Sequence, residues 1–233
     1  WASLDQIPED LVKAAVAIED KRFYEHQGVD WITTVKACAN MFFGGGDTFG
    51  GSTITQQLIK NTTKDDSVTV QRKVMEIFRA QFCEQVNDKD EIMEQYLNHI
   101  YLGRGCYGVK SAAENYFGKE LQDMTTAEMA ALIGITNNPS LFNPYRTWRD
   151  NKDMNGAERN RDRQLTILGE LYVQEWITKE EYDEALKDNV YARIQKVNKK
   201  KTKLNNTVTS YFTDAVIDAV VTDLQEELGY TEE

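Results

Sequence analysis

Apolar residues return at intervals of three and four along most of this chain, and a backbone patterned that way buries one face only as a helix. Leu11, Ala15 and Ile18 follow Pro8, a good first-turn residue, and predict a buried helix ending near Glu19. Val70, Val74, Ile77, Phe78, Gln81 and Phe82 predict a long amphipathic helix, with Arg72, Glu76 and Arg79 on a face away from the apolar stripe. Ile92, Tyr96, Leu97 and Ile100 mark another helix, and residues 109–117 a further one closed by Gly118. Thr125 with Glu128, and Thr178 with Glu181, have the spacing of capping boxes and open two more. Leu165, Leu168, Leu171 and Tyr172 stripe the helix before Trp176. With 41% hydrophobic residues and only three prolines, the expected fold class is mainly α.

Two regions break the pattern. Residues 44–51 are too glycine-rich for regular structure, and no Gly-Lys-Ser/Thr follows to make a Walker phosphate loop. From about residue 190, Val190, Ala192 and Ile194 alternate with polar residues and predict a strand. A solvated basic stretch over 196–203 and a last helix through Phe212, Val216, Val220 and Leu224 follow. Residues 1–189 are therefore expected to form the main domain, and 190–233 a connector towards a further region.

The net charge of −11 argues against a nucleic-acid partner, since phosphate binding needs a broad basic face. Cys38, Cys83 and Cys106 are odd in number and widely spaced, which suits neither a disulfide framework nor a zinc site. With only His26 and His99, no histidine-rich metal centre is expected. No apolar run approaches the roughly 20 residues that span a bilayer.

The chemistry concentrates in two runs. Glu19-Asp20-Lys21-Arg22-Phe23-Tyr24-Glu25-His26-Gln27-Gly28 puts a carboxylate pair, an aromatic, a histidine and a glycine where an apolar helix stops. Glu19, flanked by Ile18 and Phe23, is expected to be partly desolvated, which favours its neutral form and suits a general base near neutrality. The alternative is a surface acid paired with Lys21 or Arg22. Asp20 and His26 are expected to hold the turn, and Gly28 to supply a backbone angle. The second run, Gly50-Gly51-Ser52-Thr53-Ile54-Thr55-Gln56-Gln57, leads to Lys60. Uncharged donors and acceptors at a helix start can bind sugar hydroxyls and pyrophosphate oxygens, helped by the helix field. Ser52 as a plain cap and the glutamines as exposed helix formers are the alternative. Arg72 and Lys73 add fixed positive charge beside Glu76.

If a sugar leaves a pyrophosphate carrier, the leaving group needs cations or a metal rather than a general acid, while the attacking hydroxyl needs a base. A glycoside hydrolase needs a proton donor and a second carboxylate, roles Glu19 and Glu76 also fit. The cationic cluster favours transfer.

These runs resemble the first two motifs of the peptidoglycan glycosyltransferase module (glycosyltransferase family 51) of class A penicillin-binding proteins. Arg72-Lys73 with Glu76 resembles the third. The stretch from Lys89 through Glu91-Ile92-Met93-Glu94, Tyr96-Leu97-Asn98 and Ile100-Tyr101-Leu102-Gly103 resembles the fourth. Gly108-Val109, Ala112-Ala113, Tyr116-Phe117-Gly118-Lys119, Asn138-Pro139-Ser140 and Asn143-Pro144 continue it. A final arginine segment spans Arg161 to Leu168, with Arg161 and Arg163 as competing registers. Coverage runs over about residues 8–187.

The resemblance implies a lysozyme-like, two-lobed helical fold around a long cleft, and polymerisation of lipid II into β-1,4 glycan with inversion and release of undecaprenyl pyrophosphate. By it, Glu19 deprotonates the acceptor 4-hydroxyl and Glu76 assists in the donor site. Asp20, Phe23, His26, Gly50, Ser52, Thr53, Gln56, Gln57, Lys60, Arg72, Lys73, Asn98 and Arg161 match substrate-binding positions. No cofactor is required, though Mg2+ or Mn2+ assists some members. Lipid II, the growing glycan, the membrane surface and moenomycin-type inhibitors are the implied partners, with the native protein anchored at the outer face of the cytoplasmic membrane. Relatives often carry a basic residue where this chain has Ser67-Val68, so one pyrophosphate contact is absent or passes to Lys64. Met41-Phe42-Phe43 with Phe49 form an apolar patch that can dip into lipid or pack in a core. A lytic hydrolase of finished glycan, or an inactive precursor-binding scaffold, are the rival readings.

Overall fold

The computed structural model describes residues 1–36, 51–63, 69–146 and 155–203. After a short 3-10 turn at Leu4–Gln6 come α1 (Glu9–Glu19) and a helical run over 31–36 (α2). Then follow α3 (Ile54–Thr63), α4 (Val70–Val86), α5 (Lys89–His99) and α6 (Val109–Phe117). A second 3-10 turn, Leu121–Asp123, leads to α7 (Thr126–Ile133), α8 (Gly156–Val173), α9 (Lys179–Lys187) and α10 (Val190–Lys203). The mainly helical expectation holds. The only β pairing among the described residues is an isolated bridge between Tyr101 and Tyr107.

Residues 1–197 form one compact unit, and 198–233 a second one of which only 198–203 are described. In the first unit α1 is the axis. Leu11 and Ala14 through Ile18 are all buried, and the helix packs against α7 and α8. On α7, every residue from Ala127 to Ile133 is buried. Two buried amides of α8 lock it there: Asn160 Nδ2 donates to the Ala131 carbonyl (3.0 Å) and Gln164 Nε2 to that of Ala127 (2.6 Å). Around α3, α4 and α5 pack in turn.

Local chemistry sets the element ends. The capping boxes at Thr125/Glu128 and Thr178/Glu181 both form, and α6 stops at Gly118 in the left-handed conformation. Glu128 is also fully buried, where it takes ion pairs from Lys119 and Arg193. Arg193 in turn forks onto Asp188 at 2.6 and 2.7 Å.

Two expectations are corrected. The strand expected at Val190, Ala192 and Ile194 is the start of α10, and the basic stretch after it is helical too. Val190 and Ile194 are one helical turn apart and both are buried, whereas Ala192 is exposed. Three alternating positions fit either period, and core contact at the fourth residue decides for the helix. On α4 the helix forms as expected, but part of its polar face turns inward: Glu76 is buried, whereas Arg79 stays exposed. Glu76 and Ala80 are its buried residues, while Val70, Phe78 and Phe82 are exposed at 82, 62 and 63%. The final helix expected through Phe212 and Leu224, and the Met41–Phe43 patch with Phe49, lie outside the described residues.

Gly28 ties the first motif to α4. Its φ of +83° is in the left-handed region, and a Cβ there would lie 2.6 Å from the Ala80 carbonyl oxygen. Neither problem is relieved by a side-chain shift. Gly28→Ala should therefore lose about 2 kcal/mol or more of stability, read as a fall of roughly 4–8 °C in thermal midpoint; an unchanged midpoint would contradict this packing.

Candidate active site

Where α1 stops, two adjacent carboxylates need donors, because burial of unpaired charge is costly. Asp20 is almost wholly buried and is met by both available kinds. His26 Nε2 stands 3.0 and 2.9 Å from its two oxygens, and the Ile54 amide at the start of α3 donates to Oδ2 at 3.0 Å. The anion held at the α3 N-terminus is thus Asp20 itself, not an external group. Thr53 and Gln56 complete that helix start reciprocally: Gln56 Oε1 accepts from the Thr53 amide (2.9 Å) and Thr53 Oγ1 from the Gln56 amide (3.1 Å). Thr53 Oγ1 also donates to the Gly28 carbonyl at 2.7 Å.

Glu19 is held by three elements. Gln57 Nε2 of α3 donates to Oε2 at 3.0 Å, and Thr136 Oγ1, just beyond α7, donates to Oε1 at 2.7 Å. Arg163 of α8 reaches Oε1 at 3.3 Å. Behind Gln57, the buried Tyr96 phenol of α5 donates to its Oε1 at 3.4 Å, which turns the amide nitrogen towards Glu19. Burial, followed by the charges of Glu19 and Asp20, pushes the Tyr96 phenol well above its ordinary pKa, so it remains a donor.

The second carboxylate, Glu76, takes Arg72 on Oε2 and Lys73 on Oε1, both at 2.5 Å. Lys73 also donates to Ser52 Oγ at 2.9 Å, so the ammonium joins Glu76 to the loop before α3. A pocket of about 210 Å³ opens between Glu19, Lys21, Asp30, Gly51 and Ser52. Its lining therefore includes both Glu19 and the serine that leads through Lys73 to Glu76. Burial pushes the Asp30 carboxyl up, but the Arg22 guanidinium and the bonds from Thr33 outweigh it and hold it well below the usual range.

The sequence-derived candidates separate into two groups. Glu19, Ser52, Gln57, Arg72, Lys73 and Glu76 converge as described, and Lys60 stands exposed on α3. Asp20, His26, Thr53 and Gln56 build the frame. Phe23 is a correction: it is fully buried, with Lys89 Nζ 4.4 Å from its ring centre, and offers no surface to a substrate. Asn98 is another, since it binds the Ala2 amide and carbonyl and so fastens the N-terminal residues to α5. Arg161 donates to Gln164 (2.7 Å) and to the Leu186 carbonyl (2.8 Å), inside the α8–α9 contact. Of the two arginine registers, Arg163 is the one at the site. Gly50 lies outside the described residues. Thr136 escaped the sequence reading; it sits in an unremarkable polar turn with no motif to mark it. No group of three His, Cys, Asp or Glu side chains converges to hold a metal among the described residues.

A model of the family described as Transglycosylase matches residues 1–171. Penicillin-binding protein 1A of Escherichia coli (strain K12) is 42% identical over 194 residues, which is 82% of this chain and 22% of that protein. Penicillin-binding protein 1F of Bacillus subtilis (strain 168) is 34% identical over 231 residues, 99% of this chain and 30% of that protein. The 2.6 Å crystal structure of penicillin-binding protein 1A from Haemophilus influenzae aligns with a TM-score of 0.46 at 24% identity, covering 98% of this chain and 21% of that one. The chain thus spans between about a fifth and a third of the length of these relatives.

The arginine assignment is testable through stability. Arg161→Ala removes two bonds to partly buried acceptors and should cost about 1–3 kcal/mol, visible as a lower thermal midpoint. Arg163→Ala, which removes one longer bond to Glu19, should change the midpoint by less. The reverse order would return the site role to Arg161.

Proposed function

The chain belongs to the transglycosylase family, and from that membership we propose that it is a peptidoglycan glycosyltransferase, polymerising lipid II into β-1,4-linked glycan. One observation supports this reading above the others: a single pocket lined both by a well-held carboxylate, Glu19, and by Ser52, which leads through Lys73 to Glu76. Glu19 takes the proton of the acceptor 4-hydroxyl. The freed oxygen pair forms the bond to the anomeric carbon of the donor chain from the face opposite the leaving group. The bond from that carbon to the pyrophosphate breaks, and its electrons leave with undecaprenyl pyrophosphate, so the centre inverts.

Arg72, Lys73 and the exposed Lys60 supply the positive charge that such a leaving group needs. Glu76 acts by holding Arg72 and Lys73 in place beside Ser52. A hydrolase is less well supported. Both carboxylates are ion-paired, Glu19 with Arg163 and Glu76 with Arg72 and Lys73, whereas a hydrolase must spare one of the two to donate a proton. In this reading the protein's own cations neutralise the leaving group, with magnesium or manganese assisting as in some family members. Moenomycin-type inhibitors, which mimic a phosphorylated glycolipid, belong to the same pocket in this reading.

The outer face of the cytoplasmic membrane is the proposed place of action. No helix among the described residues is long and apolar enough to cross a membrane. Support comes instead from α4, where Val70, Val74, Phe78 and Phe82 form an outward row at four-residue spacing, with Met75 and Val86 beside it. An exposed apolar row of this length is a contact surface for lipid.

Incubation with lipid II and separation of products by length tests the reaction. Long strands are expected from this chain and essentially none from Glu19→Gln; normal polymerisation by the variant, or breakdown of finished strands by the original, would overturn the proposal. Flotation with phospholipid vesicles tests the surface. Replacing Phe78 and Phe82 with serine should weaken vesicle binding about tenfold or more, and unchanged flotation would remove α4 from that role.

A further inference from the structure

Thr136 makes the shortest bond to Glu19. Its hydroxyl lies 2.7 Å from Oε1, against 3.0 Å for Gln57 on Oε2 and 3.3 Å for Arg163 on Oε1. The same hydroxyl is 2.8 Å from the carbonyl oxygen of Ile133, the last residue of α7. A threonine hydroxyl has one proton, so it donates to only one of these acceptors at a time. An ionised carboxylate is the stronger acceptor of the two, and a neutral carboxyl is not.

The position of that hydroxyl is fixed from several sides. α1 packs against α7, and Asn160 and Gln164 pin α7 to α8 through its carbonyls. The Thr136 amide continues the turn by donating to the Ile133 carbonyl at 3.1 Å. Glu19 sits at the very end of α1, its side chain largely enclosed and bonded by Gln57, Thr136 and Arg163.

We infer that Thr136 is a positioning residue for the base, an inference that rests on the reading of Glu19 given above. Its hydroxyl pins Oε1 and presents Oε2, which has only the Gln57 amide among the described residues, as the oxygen that takes the acceptor proton. Once Oε2 is protonated, the Thr136 proton turns to the Ile133 carbonyl, and it returns when Glu19 releases its proton. The carboxylate is thus held in one orientation up to the moment of bond formation, in which the acceptor O–H breaks, its proton moves to Oε2 and the pyrophosphate departs with the bonding pair.

Steady-state kinetics of lipid II polymerisation test this. Thr136→Val keeps the shape and removes the hydroxyl; kcat should fall about tenfold to a hundredfold, as expected for a slightly misplaced reacting group. KM should stay within about twofold, since no substrate contact is lost, and the thermal midpoint should fall by no more than about 2–4 °C, the cost of one lost hydrogen bond. Thr136→Ser, which keeps the hydroxyl, should restore most of kcat. An unaltered kcat in the valine variant, a rise in KM alone, or a serine variant as slow as valine would each overturn the role. If the valine variant does not fold, Thr136→Ala is measured in the same way and carries the same outcomes. Glu19→Gln in the parallel assay separates the two levels. Normal polymerisation by it removes the base itself, whereas an inactive Glu19→Gln beside a fully active Thr136→Val removes only the positioning role.

Discussion

A helix that runs through a protein interior can carry no charge until it reaches a place where charge is received. α1 obeys this constraint over its second half: Ala14 through Ile18 are buried, and then two carboxylates arrive together. Each must be given donors or the helix cannot end there. Asp20 takes the Ile54 amide and His26, which draws in α3 and the turn after α1. Glu19 takes Gln57, Thr136 and Arg163, which draws in α3 again, the turn after α7, and α8. The demands of two acids at one helix end therefore assemble four separated segments around a single pocket.

This division of labour explains why adjacent carboxylates of the same motif differ. Asp20 is enclosed and saturated by backbone and imidazole, so it acts on the frame. Glu19 stays at the pocket wall and is held by side chains. The cationic half follows the same logic from the opposite direction, for Arg72 and Lys73 are long and flexible, and Glu76 restrains both. Because Lys73 also binds Ser52, the loop before α3 is registered against α4 through charge, in addition to the packing of the two helices.

What the sequence disclosed follows the range of the interactions involved. Capping boxes, the Gly118 stop and the end of α1 depend on residues three or four apart, and all were legible. Glu19, Ser52, Gln57 and the Arg72–Glu76 group were legible as chemistry in compact motifs. The contacts of Glu19 with Thr136 and Arg163 span 117 and 144 positions, and no local pattern encodes them. Motif membership also misled. Phe23 and Asn98 belong to the recognisable runs but serve packing and the N-terminal fastening, because a motif records which residues are needed without saying for what. The α10 error came from three alternating apolar residues, too few to separate a period of two from one of 3.6. On α4 the amphipathic pattern was legible, but periodicity does not say which face meets the body when both have something to bury.

That inverted helix has a geometric consequence. At 100° per residue, Val74 and Phe78 lie nearly diametrically across α4 from Glu76. A helix with its side chains is about 10–12 Å across, so the acidic group is held within one such width of whatever the outer row touches. Against a bilayer, that thickness is the depth scale of the headgroup layer, where the phosphates of a prenyl carrier reside while its tail stays in the oil. In the membrane reading proposed above, the carrier would not need to be lifted out of its leaflet to react, and α4 would be the spacer that sets reaction height.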